Sequence, residues 1–173
     1  MTPQTEPDVI AALEAGRQDV LAAINGLSDV QAAMRPAENR WSVLECIEHL
    51  VIVEARFQGW IDAGKKLETA HPDPEKEASL TARVTDRTMK AEAPEAVRPT
   101  GRFTTLDAGR GAFNDARDRS VRMARERGGE LYAVGAAHPR FGPMNGIEVL
   151  YLMAGHARRH AAQIRENRAT LGD

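Results

Sequence analysis

Two histidines, His156 and His160, are four residues apart in a segment with the apolar periodicity of an amphipathic helix. At about 100° per residue, such a pair is separated by only about 40° on the helix surface, with one residue a turn above the other. Two imidazoles in this arrangement can bind the same metal ion. The same stripe contains Val149, Leu152 and Met153, so we expect the pair to face the interior of a helical bundle.

A third histidine, His49, has a comparable place on another predicted helix, in a largely apolar row with Cys46, Ile52, Val53 and Trp60. If the two helices are neighbours, three neutral imidazoles meet near one end of the bundle and leave a coordination position for water or substrate. Three protein ligands with an open position are typical of a catalytic metal site.

The spacing of the histidine pair also allows a second interpretation. Histidines four residues apart occur by chance on solvated helices, and the arginines within HARRH would suit an exposed face. Single histidines are more often hydrogen-bonded structural residues than metal ligands. The spacing alone therefore leaves both metal binding and a solvated helix face open.

Strong start signals define the two helices that carry these histidines. Each has the pattern of a capping box, in which an N-cap side chain and a glutamate three residues later exchange hydrogen bonds with the backbone. The pairs are Ser42 with Glu45 and Asn145 with Glu148. Apolar residues at three- and four-residue intervals indicate two more helices. We predict helices over residues 7–26, 42–67, 105–128 and 146–170.

The segment 68–104 separates the second and third predicted helices. Its prolines leave no room for a long helix: they are Pro72, Pro74, Pro94 and Pro99. We expect a long ordered loop or a short helix between extended pieces, and connections of this length usually have a function or are disordered. The chain is therefore predicted to be a single all-α domain over residues 1–173, a four-helix bundle with one long connection between the second and third helices.

Composition and charge limit the classes of partner. The 173 residues include 23 Lys and Arg against 25 Asp and Glu, and this net charge of -2 offers no broad attraction to nucleic acid or an acidic membrane. The single cysteine excludes an internal disulfide bond, and the N-terminal segment lacks the pattern of a secretory signal. The longest apolar run, 149–154, is far shorter than the roughly 20 residues that cross a bilayer. We expect a cytoplasmic protein without nucleic-acid or membrane partners.

Three motifs resemble the DinB-like superfamily and occur in the order found there: RWSVLECIEHL, HPRFGPMNG and GHARRHAAQI. This superfamily comprises metal-dependent four-helix bundles, among them bacillithiol and mycothiol transferases. The resemblance implies an α-helical bundle, commonly dimeric, whose metal is held by one histidine of the second helix and an H-x-x-x-H pair of the last. At the matching positions of this chain the implied ligands are His49, His156 and His160.

The resemblance favours a metal-dependent transferase of a low-molecular-weight thiol, in which the ion lowers the pKa of the thiol and presents a thiolate to an electrophile. Two alternatives remain open. The same three histidines could activate water in a hydrolase, or the chain could be a non-catalytic dimeric bundle that binds a metal or another ligand. Three imidazoles suit zinc, nickel or iron, so the sequence indicates a divalent ion without identifying it. The expected partners are a small thiol, an electrophile and a second copy of the chain.

Other residues with possible chemistry have simpler explanations. Cys46 is expected to be a small buried core residue rather than a thiolate ligand. Gln163, one turn beyond His160, could contact the site or make an ordinary interhelical hydrogen bond. His71 and His138 each precede a proline in a loop and have no spaced partner, and we expect both to be exposed. The arginines between Arg117 and Arg127 alternate with acidic residues, which is typical of an exposed, salt-bridged helix. Four cations of the connection are expected to be solvated, with an anionic-substrate site as the alternative: Arg87, Lys90, Arg98 and Arg102.

Overall fold

The structure is a computed structural model and describes residues 6–172, so residues 1–5 and 173 of the predicted domain lie outside it. The α-helices of the described chain are α1 (Glu6–Ile24), α2 (Asp29–Ala33), α3 (Val43–Asp62), α4 (Pro74–Thr85), α5 (Leu106–Arg127) and α6 (Gly146–Leu171). The strands are β1 (Lys65–Lys66), β2 (Val134–His138) and β3 (Gly142–Asn145). Two 3-10 turns, Glu95–Val97 and Gly128–Ala133, complete the regular structure of this part of the chain.

Four of these helices form the predicted bundle, because α1 and α3 each pack against both α5 and α6. Their facing stripes supply fully buried apolar side chains such as Leu13, Ile47, Phe113 and Leu150. The all-α fold class and the four-helix bundle are therefore confirmed. Within the described residues, none of the helices is both long and apolar enough to span a lipid bilayer.

The helix starts agree with the capping signals in the sequence. The Ser42 side chain accepts a hydrogen bond from Glu45 N, and the Glu45 side chain accepts one from Ser42 N, which completes the capping box of α3. Asn145 and Glu148 make the same reciprocal contacts at the start of α6. These two helices begin at the predicted positions, and their starts fix the height of each histidine along the bundle.

The second predicted helix ends earlier than residue 67. The helix α3 stops at Asp62, because Lys65 and Lys66 pair antiparallel with β2 as a two-residue strand. Gly64 permits this turn: a Cβ atom there would lie 2.4 Å from Cγ1 of Val134. Strands β2 and β3 form the adjacent antiparallel hairpin. No sequence pattern predicted this small sheet, since a two-residue strand has no detectable periodicity.

The connection between α3 and α5 contains the short helix that was one of its two predicted forms. Asp73 caps α4 by accepting a hydrogen bond from Lys76 N, and Pro74 occupies the first turn. Helix α4 packs against α6, where a Cβ atom on Gly155 would lie 2.5 Å from Cγ1 of Val84. The connection therefore covers α6 rather than extending into solvent.

The expectation of an exposed arginine run on α5 is wrong for Arg117. Its guanidinium group is fully buried and makes a bidentate ion pair with Glu54, at 2.7 and 3.0 Å. It also donates a hydrogen bond to the Leu13 carbonyl oxygen over 2.6 Å. Glu54 in turn accepts from Ser120 Oγ. Alternating charge in the sequence does not distinguish a buried ion pair from an exposed one, because both use the same residue types.

Candidate metal centre

The three histidines singled out by the sequence converge in the structure. Nε2 of His156 lies 3.2 Å from Nε2 of His49 and 3.1 Å from Nε2 of His160. The ligand atoms of the three rings all lie within 4.8 Å of one another. The helix face that carries His156 and His160 packs against the bundle, so the alternative of a solvated face is wrong.

The tautomer of His49 is fixed by the long connection. Nδ1 of His49 lies 2.7 Å from the carbonyl oxygen of Val97, which can only accept, so Nδ1 must carry the proton. The lone pair of this imidazole is then on Nε2, the atom that faces the other two histidines. A backbone carbonyl bound to the far nitrogen is the usual way in which proteins orient a metal-binding histidine.

Burial keeps the three rings neutral. It lowers the pKa of His49, and the hydrogen bond to Val97 offsets only part of that effect. Burial lowers the pKa of His156 and His160 well below the ordinary value, and the neighbouring histidines and Arg159 lower both further. Neutral imidazoles are the form that binds a metal ion.

The geometry of the donor set fits a divalent transition-metal ion. Ligands at the Zn–N distance in a tetrahedral site are about 3.3 Å apart, and two of the three nitrogen pairs are close to this value. Three imidazoles suit zinc, nickel or iron.

One side of the histidine group is closed by Trp41. The centre of its ring lies 4.8 Å from that of His49 and 6.3 Å from that of His160. Cys46 is fully buried on the same helix as His49, and burial raises its pKa to about 12. Its thiol therefore remains protonated, which agrees with the predicted core role rather than with a thiolate ligand.

The histidine group is more open at His156, which is partly exposed whereas His49 and His160 are buried. The ring of Phe57 lies 6.5 Å from that of His156 and starts a group of four adjoining rings. We refer to these rings as the aromatic cluster, and they belong to Phe57, Trp60, His138 and Phe141. The expectation that His138 is exposed is wrong, because its ring is partly buried in this cluster. His71 is exposed, as predicted.

A residue that the sequence analysis missed, Glu48, ties the connection to α3 beside His49. Its buried carboxylate accepts hydrogen bonds from Thr100 N, Thr100 Oγ1, Gly101 N and Arg102 N, at 2.8 to 3.0 Å. Burial raises the pKa of Glu48, but these bonds outweigh that effect and the net shift is downward. The carboxylate thus stays charged and holds the segment that follows Val97. Its partners are more than 50 positions away, so no local pattern signals the role.

Two polar residues of α6, Gln163 and Arg159, flank His160 in the sequence. Nδ1 of His160 is buried and has no hydrogen-bond partner among the described residues, so the contact of Gln163 with the site stays a prediction. Arg159 donates to backbone carbonyl oxygens at and beyond the end of α4, including that of Met89 at 2.8 Å.

Of the four cations in the connection, Arg87 pairs with Glu166 and Arg98 donates to the Ala93 carbonyl oxygen. Lys90, Arg98 and Arg102 are exposed, as predicted, whereas Arg87 is only partly exposed.

Comparison with known proteins gave two findings. The family model described as the DinB superfamily matches residues 12–164. Among solved structures, the chain is similar to YfiT from Bacillus subtilis, described as a probable metal-dependent hydrolase with an unusual four-helix bundle topology. The two chains are 17% identical, with a TM-score of 0.60 over 96% of this chain and 87% of that one, which is a likeness of fold. A search of curated proteins gave no match.

Proposed function

The chain belongs to the DinB superfamily, and from this premise we propose that it is a metal-dependent enzyme that transfers a low-molecular-weight thiol to an electrophile. The observation that carries the proposal is the convergence of three neutral imidazole nitrogens beside a partly exposed face. A closed structural site would use four protein ligands, whereas three leave room for a substrate.

In this proposal His49, His156 and His160 hold the ion through Nε2. A divalent cation held by three neutral ligands keeps its full charge and supplies Lewis acidity that lowers the pKa of a bound thiol or water. Trp41 shields the buried side of the centre from water. Val97 and Glu48 keep His49 in the ligating tautomer, and the partly exposed ring of His156 borders the route by which a substrate enters.

A bound thiol requires a smaller lowering of its pKa than bound water does before it is deprotonated at neutral pH. The ordinary pKa of a thiol is about 8.5, whereas that of bulk water is about 15.7, so a modest shift produces thiolate at neutral pH. Within the described residues, the group of ligand atoms contains only histidines and no carboxylate that could serve as a general base for water. The similarity to bacillithiol and mycothiol transferases, on the motifs around His49 and His156, favours the same choice.

A hydrolase is the second candidate, because YfiT is described as a probable metal-dependent hydrolase. The two candidates share the metal centre and differ in the nucleophile. A zinc-loaded enzyme should therefore be assayed with bacillithiol, mycothiol, glutathione and cysteine, each with monobromobimane as electrophile, and separately with p-nitrophenyl acetate without a thiol.

We expect conjugation of at least one thiol to depend on the metal and to be lost in His160→Ala. Equal conjugation rates for the two proteins with all four thiols would reject the transferase. Metal-dependent ester cleavage in the absence of a thiol, together with that result, would support the hydrolase instead.

We also propose a homodimer, on the basis of the superfamily resemblance. The surface of the described chain includes exposed apolar side chains on the short helix α2 and directly after it, where Val30 is 73% and Met34 48% exposed. Light scattering at micromolar concentration should give twice the mass of one chain. A monomer under these conditions would contradict the proposal.

A further inference from the structure

Asn167 of α6 lies on the same helix face as the two histidines that this helix brings to the candidate metal centre. It follows His156 by eleven residues and His160 by seven, which at about 100° per residue places it within about 20° of each around the helix axis. Its side chain is fully buried. A buried amide needs hydrogen-bond partners at both of its ends.

Both ends of the Asn167 amide bind the segment that leads into α3. Nδ2 donates a hydrogen bond to the carbonyl oxygen of Trp41 over 2.8 Å, and Oδ1 accepts one from Arg40 over 3.1 Å. The two partners fix the orientation of the amide, because a carbonyl oxygen can only accept and a guanidinium group can only donate. Leucine can make neither bond, and an ionised aspartate lacks the donor for the carbonyl oxygen.

These bonds fix the backbone from which the ring of Trp41 extends to the histidines. Trp41 directly precedes Ser42, the N-cap of α3, so its carbonyl lies where that helix begins. The centre of its ring is 4.8 Å from that of His49 and 6.3 Å from that of His160. Among the described residues, the ring contacts of Trp41 with this group do not include the partly exposed His156.

We propose that Asn167 is a positioning residue of the metal centre. It holds Trp41 against His49 and His160, so that a bound ion is shielded there and exchanges its remaining ligands beside His156. Asn167 acts through Trp41, because it lies about 10 Å beyond His160 along the helix. The inference rests on the proposed function, since it requires that the three histidines hold a metal ion.

The test uses the full chain, whose two tryptophans are Trp41 and Trp60. In a Trp60→Phe background the emission of the protein comes from Trp41 alone. Asn167→Leu keeps the approximate volume of the side chain but removes both hydrogen bonds, and Trp41→Leu removes the ring itself. Circular dichroism checks that each variant is folded.

The matched control is Arg168→Ala, which changes the next residue of α6. Arg168 donates hydrogen bonds to the backbone carbonyl oxygens of Ala23 and Asn25, at 3.0 and 2.9 Å. Its loss therefore also breaks bonds between α6 and another segment, but that segment is the end of α1 rather than the residues before α3.

Metal-free protein tests whether Asn167 holds the ring. We expect Asn167→Leu to shift the emission of Trp41 to longer wavelength and to increase its quenching by acrylamide, because a loosened ring meets more water. Arg168→Ala should retain the emission and quenching of its parent. Wild-type emission and quenching in Asn167→Leu would overturn the proposal, since the ring would then be held without this residue.

Zinc-loaded protein tests whether the ring protects the ion. The measurement is the rate at which zinc passes to an excess of a chromophoric chelator. We expect release to be about tenfold faster in Asn167→Leu, the lower end of the range for losses outside the ligand set. Trp41→Leu should accelerate release at least as much, whereas Arg168→Ala should match wild type.

The double variant with both leucine substitutions separates positioning from a general loss of stability. If Asn167 acts through Trp41, its replacement has no further effect once the ring is absent, so the double variant should release zinc at the rate of Trp41→Leu. Multiplication of the two accelerations would overturn the proposal, because the residues would then act independently.

Two further results would overturn the proposal while leaving the metal centre intact. One is a wild-type rate of zinc release from Asn167→Leu. The other is a wild-type rate from Trp41→Leu, which can be measured even if Asn167→Leu does not fold. Absence of zinc binding by wild type is a different failure, because it would reject the proposed metal centre together with the role of Asn167.

Discussion

Nδ1 of His49 donates a hydrogen bond to the carbonyl oxygen of Val97, across 48 positions of the sequence, over 2.7 Å. Through this bond the connection between α3 and α5 decides which nitrogen of His49 faces the candidate metal centre. The connection is therefore part of the site. Glu48, the neighbour of His49 on α3, anchors the residues that follow Val97 through its carboxylate.

The first prediction concerns Glu48→Gln. The amide keeps the shape of the side chain but places a donor where the backbone N–H groups of Gly101 and Arg102 need an acceptor. The segment should loosen, and loss of an outer contact of this kind typically weakens metal affinity by about 10- to 100-fold. Competition with a chromophoric zinc chelator measures the change.

The control for this experiment is Glu45→Gln, one turn earlier on α3. Glutamine is accepted in a capping box, so α3 should keep its start and zinc affinity should remain unchanged. If Glu48→Gln binds zinc as tightly as wild type does, the connection does not position His49.

The sequence predicted the parts of the molecule that depend on local patterns. The capping boxes at Ser42 and Asn145 and the apolar periodicity fixed the starts of α3 and α6, and therefore the height and phase of the three histidines. The four-residue spacing alone places His156 and His160 on one face of a helix. Placing His49 beside them required that α3 and α6 be neighbours, which the superfamily resemblance implied.

The rest depends on contacts between distant residues. The bond from His49 ends on a backbone carbonyl, and every residue has one, so no sequence pattern could identify Val97. His138 was expected to be exposed because it lies beside a proline in a loop. Its burial comes from the pairing of β2 with β1 and β3, a sheet too short to be recognised. Arg117 was misjudged because its partner, Glu54, lies on another helix.

The second prediction tests the proposed metal ligands. Replacement of His156 or His160 by Ala should abolish stoichiometric zinc binding, because two neutral imidazoles and water compete poorly with three. The measurement is elemental analysis of protein purified without a His tag and dialysed against zinc. His71→Ala, which removes an exposed histidine, should retain the metal and serves as the control. Full metal content in either α6 variant would exclude that residue as a ligand.

The third prediction concerns the buried ion pair between Glu54 and Arg117. Glu54→Ala leaves a guanidinium group that is fully buried without its carboxylate, which typically costs about 3–5 kcal/mol in the free energy of unfolding. Urea denaturation followed by circular dichroism measures the loss. Asp107→Ala removes the carboxylate of an exposed pair with Arg110 and should cost less than about 1 kcal/mol. Similar losses for both variants would contradict a special role for the buried pair.

The last prediction concerns Glu77, which lies on the face of α4 that packs against α6. Its side chain is 1% exposed, and within the described residues neither carboxylate oxygen has a hydrogen-bond partner. Burial raises the pKa of Glu77, and the charges of Glu148, Asp73 and Asp8 raise it further. The folded state therefore holds a proton that the unfolded chain releases more readily. The stabilisation is fully present below the unfolded pKa and is lost as the pH rises through the folded one.

Glu77→Gln keeps the shape of the protonated acid at every pH, so it should not suffer this loss. Urea denaturation of both proteins at pH 5 and pH 8 should show the variant gaining stability over wild type at the higher pH, where only wild type carries a buried carboxylate. Glu75→Gln removes an exposed charge from the same first turn of α4 and corrects for the effect of the helix dipole. Because Glu75 is solvated, its variant should follow the pH dependence of wild type. If Glu77→Gln also follows the pH dependence of wild type, then ionisation of Glu77 does not lower the free energy of unfolding. A partner such as a water molecule must then solvate its carboxylate.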